Sequence, residues 1–160
     1  MTVAVRAYGD DDLAWAEPVV ERDLGGRWQA RRGELVDALV PPGWVAERDG
    51  RPVGLLTGAE RNDGWELVLL LALERRSGIG SLLVPHLLQR ARDSDRPVVW
   101  VVTTNDNTGA LAFYQRLGFR LSALRVGAVD AARATVKPQI PAIGDGGIRR
   151  SDELELTFRW

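Results

Sequence analysis

At 160 residues and 17.6 kDa, with 45 % hydrophobic and 27 % charged residues, the chain has the size and composition of one globular domain of residues 1–160. A formal net charge of −1 argues against a protein built around a polyanion such as DNA or RNA, and no apolar run reaches the ~20 residues needed to span a bilayer. With no cysteine there is neither a disulfide framework nor a thiolate metal site nor a cysteine nucleophile, and no His/carboxylate cluster has metal-ligand spacing, so no metal is expected.

The first residues, MTVAVRAYGDDD, lack the basic and long apolar segments of a secretory signal, so they are read as part of the fold and the chain as cytoplasmic. Residues 2–8 alternate like a strand, and Asp10–Asp12 put negative charge where the next helix has its positive dipole end. Pro18 is expected to limit that helix. A second helix is expected over 30–39, before Pro41-Pro42. Residues 44–48 and 52–60 read as strands joined by Asp49-Gly50, a pair suited to positive φ, and 65–73 as the third strand of an antiparallel meander.

From Gly78 the pattern turns helical, with Leu83, Val84, Leu87, Leu88 and Ala91 on one arc and His86, Gln89, Arg90, Arg92 and Asp93 on the other; Pro85 predicts a bend or a late start. Residues 97–103, apolar on both faces, read as a covered strand parallel to 65–73. A helix over 108–117 closed by Gly118, a strand from Phe119, a segment between 128 and 150 long enough for a short helix followed by a Pro/Gly-rich excursion, and a final strand at 153–158 at the end of the sheet complete the expected order.

Two clusters carry chemistry. The stretch ERRSGIGS (74–81) joins a strand to a helix, and so combines free backbone N–H groups, a positive dipole end, two arginines and two glycines that let a ligand's oxygens approach the main chain. It is neither a phosphate loop of the nucleotide-hydrolase type, lacking Gly-Lys-Ser/Thr, nor a dinucleotide fingerprint, since Leu83 stands where the third glycine belongs. One strand later, residues 103–119 hold Asn107, Ala110, Phe113-Tyr114 and Gly118-Phe119 in the order N-x-x-A-x-x-F-Y-x-x-x-G-F.

Together with Arg75-x-x-Gly78-x-Gly80, this resembles the GNAT superfamily of N-acetyltransferases, closely over about residues 44–125. The resemblance implies an α/β fold with a mixed, strongly twisted central sheet of about six or seven strands, flanked by helices and open between the parallel strands 65–73 and 97–103. It implies acetyl-CoA as co-substrate, with the main chain near Val68 and Leu70 pairing with the pantetheine arm. The backbone of Arg75, Arg76, Ser77, Gly78, Ile79, Gly80 and Ser81 would hold the pyrophosphate, and Asn107 would contact the pantetheine region. Ala72, where proline is common in the family, and Arg76-Ser77, where glycine and a basic residue are common, depart from its pattern.

Tyr114 is the implied proton donor to the departing thiolate; a phenol near ~10 is protonated at neutral pH, while a thiol titrates near ~8.5. Glu66 stands where many relatives place the base that takes the amine's proton through water, with an ion pair to an arginine as the competing reading. Asp106, Glu153 and Glu155 are lesser candidates for that role. His86 is read as a solvated side chain, and five residues of helix turn it about 140° from Ser81, which with the missing cysteine argues against an acyl-enzyme. Cues to the acceptor conflict: Trp28, Glu34 and Asp37 would suit an amine, Arg27, Arg31 and Arg32 an acidic group. The expected acceptor is a primary amine on a small molecule or a peptide, with no nucleic acid and no membrane partner. The alternative is an acyl-CoA-binding sensor or interaction module with weak catalysis. A homodimer is open, with Trp44 or Trp160 as candidate exposed aromatics on its face.

Overall fold

A computed structural model describes residues 2–74 and 76–160. Its strands are β1 (Val3–Ala7), β2 (Trp28–Arg31), β3 (Glu34–Asp37), β4 (Gly43–Arg48), β5 (Arg51–Arg61), β6 (Gly64–Ala72), β7 (Val98–Thr104), β8 (Arg120–Arg125) and β9 (Glu153–Arg159); its helices are α1 (Leu13–Leu24), α2 (Ile79–Arg92), α3 (Thr108–Arg116) and α4 (Ala128–Thr135). Seven strands form one mixed sheet in the order β1-β4-β5-β6-β7-β9-β8, with β6 and β7 parallel, and β2 pairs with β3 in a separate ribbon. No α-helix among the described residues is long and apolar enough to cross a membrane.

The chain forms two compact units. The first takes in the residues up to Arg27, Asp37–Val99 and Trp160; the second takes in Trp28–Val36 and Trp100–Arg159.

In the first unit, β4, β5 and β6 form the expected antiparallel meander, with Asp49 (φ 54°) and Gly50 (φ 74°) making its first turn. The β5–β6 register slips between Thr57 and Gly58: Leu69 faces Thr57 and Leu67 faces Gly58, so Val68 is the extra residue of a bulge. Helix α2 buries Ile79, Leu83, Val84, Leu87 and Ala91, while His86, Gln89 and Arg90 are exposed. Its approach is close because β5 supplies glycines beneath it. A β-carbon at Gly54 would overlap the Ile79 side chain, and one at Gly58 would stand 2.7 Å from Leu87 Cδ1. At the start of β6, a β-carbon on Gly64 would meet the Val98 carbonyl of β7 at 2.7 Å.

α1 runs through Pro18, against expectation, and α2 starts at Ile79, so Pro85 does not delay it. Pro18 and Pro85 are exposed, as are Ala14 and Ser81, the residues four back whose carbonyls lose a donor, so water can serve those carbonyls. α1 continues to Leu24 and stops at Gly25, which has φ 75°. Ahead of it, Asp12 accepts from Arg6 at 2.9 and 2.7 Å, from Trp15 Nε1 at 2.8 Å and from the Gly9 amide at 2.9 Å. The Arg6 hydrogen bonds outweigh burial and hold the Asp12 carboxyl well below the usual carboxylate range.

In the second unit, the expected helix over 30–39 is instead the β2–β3 hairpin. Its two turn residues, Arg32 (φ 51°) and Gly33 (φ 78°), both lie in the left-handed region, and the Arg32 amide donates to the Glu153 side chain at 3.1 Å. Partners far along the chain override the local helical pattern. β9 also departs from expectation: although it follows β8, it lies between β7 and β8 and leaves β8 at the edge.

Replacing Gly54 by Ala is expected to lower the unfolding free energy by about 1–3 kcal/mol through overpacking against Ile79, read as a reduced denaturant midpoint.

Candidate active site

β6 and the turn after it hold most of the residues the sequence singles out. Arg75 lies outside the described residues. Arg76 is exposed at φ 55°, Ser77 Oγ donates to the Glu74 carbonyl at 2.6 Å, and Gly78 at φ 76° is the N-cap of α2. Gly78 has no side chain to cap the helix, and its Cβ position is open space. Among the described residues, the Leu82 amide donates to the Gly78 carbonyl at 3.2 Å. The amides of Ile79, Gly80 and Ser81 therefore belong to the turn that a helix cannot satisfy internally, at its positive end. Ile79 is buried, its side chain set over Gly54, so the first turn is anchored from below.

No local sequence signal points to Arg48, which donates from β4 to the Glu74 carboxylate. Glu74 thus meets Arg48 with its side chain and Ser77 with its carbonyl, and the turn before α2 is braced at its first residue. Such a cradle suits a pyrophosphate: uncapped amides, room where a β-carbon would stand, and an exposed arginine.

Along β6, Val68 is the bulge residue, without a register partner on β5, and Leu70 pairs with Leu56. Glu66 is 2 % exposed and accepts from Arg61 Nε at 2.9 Å, so it has the ion pair its competing reading foresaw. His86 is exposed, with its ring centroid 6.0 Å from that of Trp44, which is half-buried and not the exposed aromatic expected; Trp160 is exposed.

In the second unit, Asn107 caps α3, its Oδ1 accepting from the Ala110 amide at 3.2 Å. At the other end of α3, the Phe119 amide donates to the Tyr114 carbonyl at 3.0 Å and the Gly118 amide to the Gln115 carbonyl at 3.0 Å, a Schellman closure with Gly118 at φ 102°. This closure folds Phe119 back onto Tyr114, with ring centroids 5.4 Å apart; Phe113 lies at 5.2 Å on the same tyrosine, and Phe119 packs on Phe158 at 5.5 Å. Tyr114 is 6 % exposed, and burial pushes its phenol well above the ordinary range. A phenol so placed keeps its proton throughout the neutral range and can act only as a donor or a packing group, not as a base.

The lesser base candidates are committed elsewhere. Asp106 is buried and accepts from Thr104 Oγ1 at 2.6 Å, from the Asp145 amide at 3.0 Å, and from Arg150 Nη2 at 2.9 Å. Burial opposes its charge, but Arg150, Thr104 and the amide outweigh it, and the carboxyl titrates below its usual value. A β-carbon at Gly144 would strike this carboxylate. Asn105 adds bonds to the Arg149 carbonyl at 2.8 Å and from the Ser151 and Asp152 amides at 3.0 and 2.9 Å, so the excursion after α4 is anchored on residues 105 and 106. Glu153 and Glu155 are buried in ion pairs with Arg125.

Residues 11–119 match the model of the acetyltransferase (GNAT) family. The chain belongs to the GNAT acetyltransferase family. It is 40 % identical over 109 residues to the uncharacterized protein YxbD of Bacillus subtilis, covering 68 % of each chain. It is 34 % identical over 104 residues to the peptidyl-lysine N-acetyltransferase YjaB of Salmonella typhimurium, covering 62 % of this chain and 66 % of that one. A GNAT family acetyltransferase from Elizabethkingia anophelis, crystallised with acetyl-CoA bound, has the same fold at a TM-score of 0.69 and 19 % identity, over 99 % of this chain and 98 % of that one.

Three outcomes test these assignments. Ser77→Glu puts negative charge beside the α2 amides and is expected to weaken CoA binding at least about tenfold by calorimetry; unchanged affinity would remove the ligand from this turn. Arg150→Ala is expected to cost roughly 3 kcal/mol at neutral pH by stranding Asp106. Because the Asp106 carboxyl is held down in the fold, its contribution is present above the unfolded value near ~4 and is lost as pH falls through the folded one, so Asp106→Asn should flatten the acid limb of a stability-against-pH curve.

Proposed function

We propose that this protein moves an acetyl group from acetyl-CoA to a primary amine, on a small molecule or a peptide, by direct transfer while both substrates are bound. The observation that carries the reading is the uncapped, glycine-opened start of α2 following a bulged β6, in a chain of the GNAT family. In this reading the backbone of Arg76–Ser81, with Arg75, holds the pyrophosphate, the main chain at Val68 and Leu70 pairs with the pantetheine arm, and Asn107 contacts that arm through its amide. The Val68 bulge supports this assignment, since it takes Val68 out of register with β5.

The neutral amine attacks the thioester carbonyl carbon, a C–N bond forms, the C–S bond breaks, and the thiolate takes a proton. Tyr114 donates it; a buried phenol that stays protonated at neutral pH supports that role. The amine's own proton leaves through water towards Glu66. The Arg61–Glu66 ion pair ties up part of the Glu66 carboxylate and favours the second reading, an acyl-CoA-binding module with weak catalysis.

Release of free thiol from acetyl-CoA across a panel of primary amines separates the two readings: turnover supports the enzyme, and tight coenzyme binding without turnover on any amine supports the module. Tyr114→Phe is expected to lower kcat about a hundredfold with little change in KM for acetyl-CoA, and an unchanged kcat under chemistry-limited conditions would take the proton-donor role from Tyr114.

A further inference from the structure

Charged groups and one indole converge within the second unit. From the tip of the β2–β3 hairpin, Arg32 lays its guanidinium carbon 3.4 Å from the Trp100 ring centroid and donates from Nε to Glu155 at 2.8 Å. From β8, Arg125 reaches Glu155 at 2.7 Å and Glu153 at 3.4 Å. Arg31, paired with Glu34 at 3.2 Å, lies farther from the same ring, at 5.7 Å. Trp100, Glu153 and Glu155 are buried, whereas the Arg32 side chain keeps 26 % of its surface exposed.

The arrangement is an indole floor with a carboxylate wall, and it already holds a guanidinium, delivered by a hairpin tip. Arg32 and Arg125 both face Glu153 and Glu155, so taking Arg32 out removes one positive charge from beside those carboxylates and from the negative face of the indole. A cation of similar shape would replace that charge.

We propose that Trp100, Glu153 and Glu155 form a cation subsite for the acceptor, closed by Arg32 in this conformation and taken over, when the hairpin lifts, by an acceptor carrying a guanidinium or second ammonium group. The group held there is not the nitrogen that is acetylated. A reacting amine must shed its proton, and an acidic, aromatic cage favours the protonated form. The acceptor class is therefore a diamine, an amino-guanidine or a basic peptide. The word acceptor rests on the acetyltransferase reading, but the cation binding does not.

Arg32→Met keeps an apolar stem on the indole and removes the charge. In protein labelled with 15N at tryptophan, with Trp100→Phe identifying the relevant indole N–H, methylguanidinium and agmatine are titrated without coenzyme. The expected result is a saturable shift of the Trp100 signal in Arg32→Met, at about tenfold lower concentration than in the unaltered protein, and loss of that gain when Glu155→Gln is added. Arg32→Lys, which keeps a cation but loses the planar fork, gives a smaller gain in the same direction and serves if the methionine variant does not fold. Equal binding to altered and unaltered proteins, or an equal shift with neutral n-butanol, overturns the proposal. Turnover of amines with no cation binding at Trp100 sinks this inference alone; cation binding with no turnover on any amine leaves it standing and sinks the acetyltransferase reading.

Discussion

A helix cannot satisfy its own first amides, and at the start of α2 this constraint organises the first unit. The donors of Ile79, Gly80 and Ser81 have no acceptor within the helix, and Gly78, lacking a side chain, cannot cap them. What makes the turn usable is its support. Ile79 is buried over Gly54, Leu87 packs over Gly58, and Arg48 braces Glu74 just before the turn. Glycines on β5 bring the helix close, the apolar arc of α2 fixes its rotation, and the open amides come to rest after β6. A rigid element presents the donors, so little ordering remains to be done when an anion arrives.

The second unit is organised by charge more than by apolar packing. Buried Asp106, Glu153 and Glu155 are each matched by arginine, and each arginine comes from another segment: Arg150 from the excursion, Arg125 from β8, Arg32 from the hairpin. Removing one partner strands a buried charge, so these pairs specify position strongly even where their net contribution to stability is small. They explain why an irregular, Pro/Gly-rich segment holds a defined path after α4. Aromatic stacking does the corresponding work around α3, where the Gly118 turn returns Phe119 to Tyr114.

Features with local causes could be read from the sequence. Asp49-Gly50 announced its turn, the arc from Leu83 to Ala91 announced α2, and Gly118 announced the end of α3. The ERRSGIGS stretch and the Asn107–Phe119 spacing carry the resemblance to the family in sequence alone. Features with distant causes could not be read. The segment ARRGELVD has helical composition, and contacts from far along the chain, those of Arg32 with Glu153, Glu155 and Trp100 among them, hold it as a hairpin. Pro18 signalled a stop and Pro85 a bend or a late start because sequence does not disclose that both face water. Arg48 and Arg150 had no local signal, since an arginine acquires its meaning from a carboxylate many residues away.

The position of β9 bears on how the chain is made. On the ribosome β7 emerges, then α3 and β8, yet the lane between the two strands stays empty until residues 153–159 are synthesised. Until then both strands carry bare hydrogen-bonding edges that can pair with each other in the wrong register or with a neighbouring nascent chain. The late insertion of β9, which brings Glu153 and Glu155 to their arginines, is thus a natural slow step in assembly and the stage at which a chaperone would have most to protect.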